Sequence, residues 1–238
     1  MIELKDFSIG FKNKILLEHV STVFKSSKLT SLVGRNGTGK TTLMKALAGL
    51  NQEYKGEILI NGENLKNIPK SRLASIVAYV NTHRPRMSHL KCGDVIALGR
   101  SPYTSWHGKL TDKDYQIVDK VLDKVGMREY KDRYFNSLSD GEGQKIMIAR
   151  AIAQDTPIII LDEPTSFLDL PTRFELVSLL KTLTEDYHKT IIFSTHELDI
   201  ALKLSDYITL VHNRNLINLP KMEMVESVYL KEAFPILF

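Results

Sequence analysis

The chain has 238 residues, 43% of them hydrophobic and 25% charged, enough to bury a full core without a metal or a disulfide. A net charge of +4 is modest for this length, and Lys and Arg are scattered among acids, which argues against a nucleic-acid-binding surface. The lone Cys92 cannot form an internal disulfide, no leader-like segment opens the sequence, and no apolar run nears the roughly 20 residues of a membrane span, so a cytoplasmic protein is expected, reaching any membrane through a partner.

Residues 2–9 and 15–24 read as strands, and residues 29–33 form a buried strand interrupted only by Thr30 and Ser31. Gly34-Arg35-Asn36-Gly37-Thr38-Gly39-Lys40-Thr41 follows directly, and residues 42–50 are rich in helix formers. Residues 57–60 end at Asn61-Gly62, a hairpin signal, and residues 76–80 are another short apolar run. Pro85, Gly93, Gly99, Pro102 and Gly108 then punctuate a loop-rich stretch interleaved with helical periodicity. From Thr111, a cap followed by the first-turn acids Asp112 and Asp114, apolar residues recur at helical spacing until Gly126. Beyond it the pattern predicts a helix over 142–154, a buried strand over 158–161, a helix over 171–185, a strand over 190–194 and a helix over 197–204. Such alternation predicts an α/β fold with a mixed, mainly parallel sheet, preceded by an antiparallel β portion.

The segment from Gly34 to Thr41 carries the strongest chemistry. Its glycines let backbone N–H groups converge on an anion at a helix N-terminus, Lys40 reaches the β- and γ-phosphates, and Thr41 can join a bridging Mg²⁺. Asp162-Glu163 ends a strand of four apolar residues: in a phosphate-loop fold Asp162 holds Mg²⁺, usually through its water shell, and Glu163 accepts a proton from the attacking water. Ser139 and Gly141 stand at a helix start and can form a second anion site. His196, directly after a strand, can donate to a γ-phosphate oxygen.

In this order the residues resemble the nucleotide-binding subunit of ATP-binding cassette (ABC) transporters, over nearly the whole chain. The resemblance implies an ATPase of the phosphate-loop ABC fold, with a core of residues 1–82 and 158–238 and an inserted helical subdomain of residues 83–157. ATP would be held by the Walker A residues Gly34, Arg35, Asn36, Gly37, Thr38, Gly39, Lys40, Thr41 and Thr42, and by Ser139, Gly141 and Glu142 of the signature loop. Phe11 lies where the family places an aromatic residue against adenine; a core phenylalanine near a turn is the other reading. Lys40, Glu163 and the switch histidine His196 would serve hydrolysis, Thr41 and Asp162 the Mg²⁺, and Ser166 and Asp169 the D-loop at a dimer seam. The implied partners are a second copy arranged head to tail, an integral membrane permease and, indirectly, a solute-binding protein, which would place the subunit at the cytoplasmic face of the membrane.

The chain departs from the family pattern in two loops. Where glutamine usually approaches Mg²⁺, the nearest match is Thr82, whose shorter hydroxyl would need a bridging water, and Asn81 is the alternative. The basic cluster His83, Arg84 and Arg86 then reads as a permease-docking surface. In the signature loop Asp140 replaces a glycine and Glu142 a glutamine; a carboxylate is unfavourable near phosphate, so Asp140 is expected to face solvent or a basic partner. Val95 to Tyr103, then Trp106, His107 and Gly108, resemble ATPases of iron–siderophore, haem and cobalamin importers, although Arg100 and the aromatics also fit simple bracing. A soluble ABC ATPase of nucleic-acid metabolism or cluster assembly is the alternative function. A nucleotide kinase would leave the signature loop, Glu163 and His196 without linked roles.

Overall fold

The computed structural model describes residues 1–12, 14–83, 85–104 and 108–235, so Arg84, Trp106 and His107 lie outside the described residues. The chain opens with the long strands Ile2–Phe11 (β1) and Lys14–Phe24 (β2), paired antiparallel. Leu29–Val33 (β3) is buried along its whole length and leads through the phosphate loop into Lys40–Leu47 (α1). Tyr54–Ile60 (β4) and Glu63–Asn64 (β5) are joined by Asn61 and Gly62 at φ 50° and 85°, the two-residue turn expected there. Lys70–Leu73 (α2) precedes Val77–Val80 (β6). The helices Cys92–Ala97 (α3), Asp112–Lys124 (α4) and Asp140–Ala153 (α5) fill the chain before Ile158–Leu161 (β7). Leu170–Glu185 (α6), Thr190–Thr195 (β8), Leu198–Leu204 (α7), Tyr207–His212 (β9), Asn215–Pro220 (β10), Lys221–Glu226 (α8) and Val228–Ala233 (α9) complete it.

Strands β2-β1-β4-β5 form an antiparallel sheet, and β10-β9-β3-β8-β7-β6 a second sheet in which only β10 runs antiparallel to its neighbour. Alternate residues of the second sheet face opposite layers. Val80, Ile159, Leu161, Ile191 and Phe193 pack into one core with the helices around α5, while Leu32, Ile158, Ile160 and Ile192 join α1 and the antiparallel sheet. The mixed, mainly parallel sheet with an N-terminal antiparallel portion is the architecture the alternation predicts. Two helix starts shift by two residues from expectation: α1 begins at Lys40 because Gly39 is its N-cap, and α5 at Asp140 because Ser139 caps it.

Arg100 braces the helical segment. Its Nε donates to Asp114 Oδ1 at 2.9 Å, its Nη1 to the Ala153 carbonyl at 2.7 Å, and its guanidinium stacks 4.2 Å from the Tyr103 ring. Thr111 donates its N–H (2.9 Å) and hydroxyl (2.6 Å) to Asp114 Oδ2, and with the arginine this holds the Asp114 carboxyl down at about 2. Because the folded value is depressed, the stabilisation is full above the unfolded aspartate range near about 4 and is lost as pH falls through about 2. Arg100→Ala strands a buried carboxylate and is expected to lower unfolding free energy by about 3 kcal/mol, read by chemical denaturation at neutral pH, with a smaller loss near pH 2.

Candidate active site

The carboxyl ends of β3, β8 and β7, three neighbours in the parallel sheet, deliver the candidate residues to one crevice, where ligands of such sheets bind. The loop after β3 requires its glycines: Gly39 sits at φ 105°, and a Cβ there would lie 2.9 Å from Leu16 Cβ. Lys40, buried, turns back over the loop and donates to the carbonyls of Gly34 (2.7 Å) and Arg35 (3.3 Å). Burial lowers its ammonium pKa, opposed by the charges of Glu163 and Asp162. Asn36, Gly37, Gly39, Lys40, Thr41 and Thr42 line a cavity of about 420 Å³ shared with Phe11, Glu163 and His196. Phe11, 59% exposed, lines this cavity and does not lie in the core, and the Lys12 ammonium stands 5.5 Å from its ring centroid. Arg35 and Thr38 face an adjoining cavity, where the Thr38 hydroxyl donates to the Arg35 carbonyl at 2.8 Å.

At the end of β7 a single serine organises both acids. Ser194 Oγ donates to Asp162 Oδ1 at 2.7 Å and accepts the Glu163 N–H at 2.8 Å. Glu163 itself occupies the left-handed region at φ 46°, a strained conformation for a non-glycine residue and a mark of functional sites. Its Oε2 accepts from Ser166 Oγ at 3.1 Å and lies 3.9 Å from His196 Nδ1. Asp162 is fully buried, and among the described residues its Oδ2 has no hydrogen-bond partner. An orphaned buried carboxylate oxygen beside a phosphate loop fits a cation, and Mg²⁺ binds through one or two protein groups plus phosphate and water. Asp162 and the cavity-lining Thr41 are the residues that would hold it. Ser194 is the residue that sequence reading misses, because only the β7–β8 register, with Leu161 opposite Phe193, brings it beside Asp162.

Residues 17–166 match the family described as ABC transporter. The chain belongs to that family. It is 35% identical to an uncharacterized ABC transporter ATP-binding protein of Methanocaldococcus jannaschii, covering 98% of this chain and 83% of the relative. The petrobactin import ATP-binding protein of Bacillus subtilis is 33% identical, with 98% and 92% covered, and the iron(3+)-hydroxamate import ATP-binding protein of the same organism 30% identical, with 99% and 88% covered. Among solved structures, a metal-chelate type ABC transporter in an inward-facing conformation superposes with a TM-score of 0.86 at 26% identity, over 98% of this chain and 88% of that one. The ATP-binding subunit of an ABC transporter gives 0.82 at 25% identity, with 100% and 99% covered. The chain is an ABC ATPase.

The remaining motifs of this ABC ATPase lie elsewhere on its surface. Ser139, Gly141 and Glu142 do not line the Walker A cavity; they start α5, where Ser139 and Glu142 form a reciprocal capping box. A Cβ at Gly141 would stand 3.0 Å from the Phe167 carbonyl oxygen, a tight contact that a shift of a few tenths of an ångström would relieve. Asp140 is exposed, as expected of an acid in this position. Asp169 occupies the N-cap position of α6 without a side-chain capping bond, and neighbouring Thr172 holds its carboxyl below the usual range. Thr82 lines a separate cavity of about 740 Å³ with His83, Arg86, Asp140, Gln144 and Phe167, and its N–H donates to Asn81 Oδ1 at 3.0 Å. No helix among the described residues is long and apolar enough to cross a membrane.

Proposed function

We propose that this ABC ATPase drives an importer of iron chelates, siderophore complexes first, with haem or cobalamin as the wider class. The observation that carries the engine is the carboxylate pair at the end of β7: buried Asp162 with an open oxygen and Glu163 facing the Walker A cavity. In this reading ATP stacks on Phe11 and lays its phosphates on Gly34, Gly37, Gly39, Lys40 and Thr42. Thr41 and Asp162 would hold Mg²⁺, which would supply charge neutralisation at the phosphates. Glu163 takes a proton from the attacking water and His196 contacts the γ-phosphate; Thr82 would reach the metal through a bridging water, with Asn81 as the alternative.

Two copies pair head to tail, so that Ser139 and Gly141 of each complete the ATP site of the other and Ser166 and Asp169 line the seam. Support comes from the separation of the signature loop from the Walker A cavity of its own chain. Residues 83–157 act as the helical signature subdomain against a core of residues 1–82 and 158–238. The pair docks at the cytoplasmic face of the membrane on a permease that receives solute from a binding protein. Support for the solute class is the pair of relatives named for petrobactin and iron(3+)-hydroxamate import.

Affinity purification from membranes tests the role: an integral permease is expected to accompany the subunit, and a nucleic-acid-processing complex in its place overturns the reading. Arg86, together with Arg84 in the same basic cluster, is proposed to face that permease. Alanine at both positions is expected to reduce permease recovery at least about fivefold, the scale of an interface arginine, with the ATP affinity of the free subunit unchanged. Unaltered assembly and unaltered transport-coupled hydrolysis remove the docking assignment.

A further inference from the structure

The signature loop is already engaged by a side chain of its own subunit. Both donors of Ser139 converge on one carboxylate oxygen: its N–H lies 2.9 Å and its hydroxyl 2.8 Å from Glu142 Oε2. The Glu142 N–H returns a bond to Ser139 Oγ at 3.3 Å. A serine hydroxyl has one proton, so while Glu142 accepts it, a phosphate oxygen cannot.

The surroundings keep Glu142 charged. The Ser139 N–H and hydroxyl draw its carboxyl below the ordinary range, and Tyr130 and Arg133 act in the same direction. Exposed Asp140 places a second carboxylate in the same first turn. The helix N-terminus, which attracts anions, therefore carries two acids of its own chain.

We propose that Glu142 is an internal competitor for the phosphate: it holds the Ser139 hydroxyl in the open subunit and must release it before the signature loop closes on a triphosphate bound by a second copy. The proposal rests on the reading in which Ser139 meets nucleotide across the dimer seam. Closure exchanges a serine–carboxylate bond for a serine–phosphate bond and brings two anions towards one hydroxyl, so the net gain is smaller than with a neutral side chain. Glu142 is thus a positioning residue, setting how much ATP is needed for closure.

The test compares full-length wild type, Glu142→Gln, Ser139→Ala and the double variant. Glutamine keeps the length and acceptor of the capping box while removing the charge. Glu142→Gln is expected to lower the ATP concentration for half-maximal hydrolysis by about tenfold, the scale of one charge-assisted hydrogen bond exchanged. Ser139→Ala raises that concentration, and adding Glu142→Gln to it changes nothing more, because the competitor has no hydroxyl left to hold. ATP-driven dimerisation followed by sedimentation in a Glu163→Gln background gives a second readout and should shift in the same direction. An unchanged or raised half-saturating concentration in Glu142→Gln, while Ser139→Ala retains its effect, overturns the proposal alone. Ser139→Ala behaving as wild type removes the dimer reading and the proposal with it.

Discussion

Glu163→Gln is expected to bind ATP with near-native affinity and to hydrolyse it about a thousandfold more slowly, the middle of the range for loss of a positioned general base. The local geometry allows a clean substitution. Glutamine retains the backbone N–H that Ser194 accepts at 2.8 Å and an acceptor for the Ser166 hydroxyl, now at 3.1 Å, so the strained turn at φ 46° keeps its supports. What it loses is basicity at Glu163, whose carboxylate lines the Walker A cavity. With phosphates bound and no proton acceptor for the attacking water, the closed pair should persist and elute as a dimer in ATP but not in ADP. Two readings are separately exposed: wild-type turnover removes Glu163 as the base, and a slow variant that stays monomeric in ATP removes the head-to-tail dimer.

The parts of this site that are legible in the sequence are those made by adjacent residues. A buried strand, a glycine loop and a helix start follow one another from Leu29 to Leu47, and four apolar residues run straight into Asp162 and Glu163. Ser194 escapes notice because its role depends on strand register, which no local pattern encodes. The C-terminal hairpin escapes for another reason: β9 and β10 turn through Asn213 and Arg214 at φ 47° and 61°, where glycine normally marks the second position. The Asn61-Gly62 turn, with the same sign of φ, carries that mark and is readable. Arg100 shows the limit of composition, since the residue stands out beside its aromatics, yet only its bonds to Asp114 and Ala153 reveal a brace.

Lys40→Ala is expected to weaken ATP binding by about a hundredfold, roughly 3 kcal/mol, within the range for truncating one partner of a buried, hydrogen-bonded charge pair. Without nucleotide the ammonium is satisfied by the carbonyls of Gly34 and Arg35, so ATP must offer it phosphate oxygens in a site where it is only 5% exposed. Burial already disfavours its charge, and the nearby Asp162 and Glu163 restore part of what desolvation removes. Alanine reverses that balance: the phosphates would then face the Glu163 carboxylate across a cavity of about 420 Å³, with buried Asp162 nearby and no ammonium to offset either. Adenine stacking on exposed Phe11, as proposed, would survive the change, so the loss should grow with phosphate number, largest for ATP, smaller for ADP and smallest for AMP. Titration of the three nucleotides by equilibrium fluorescence reads that gradient. Equal losses for all three would mean that the variant had damaged the loop and not a phosphate contact, and an ATP affinity within about threefold of wild type would remove Lys40 from the phosphate site.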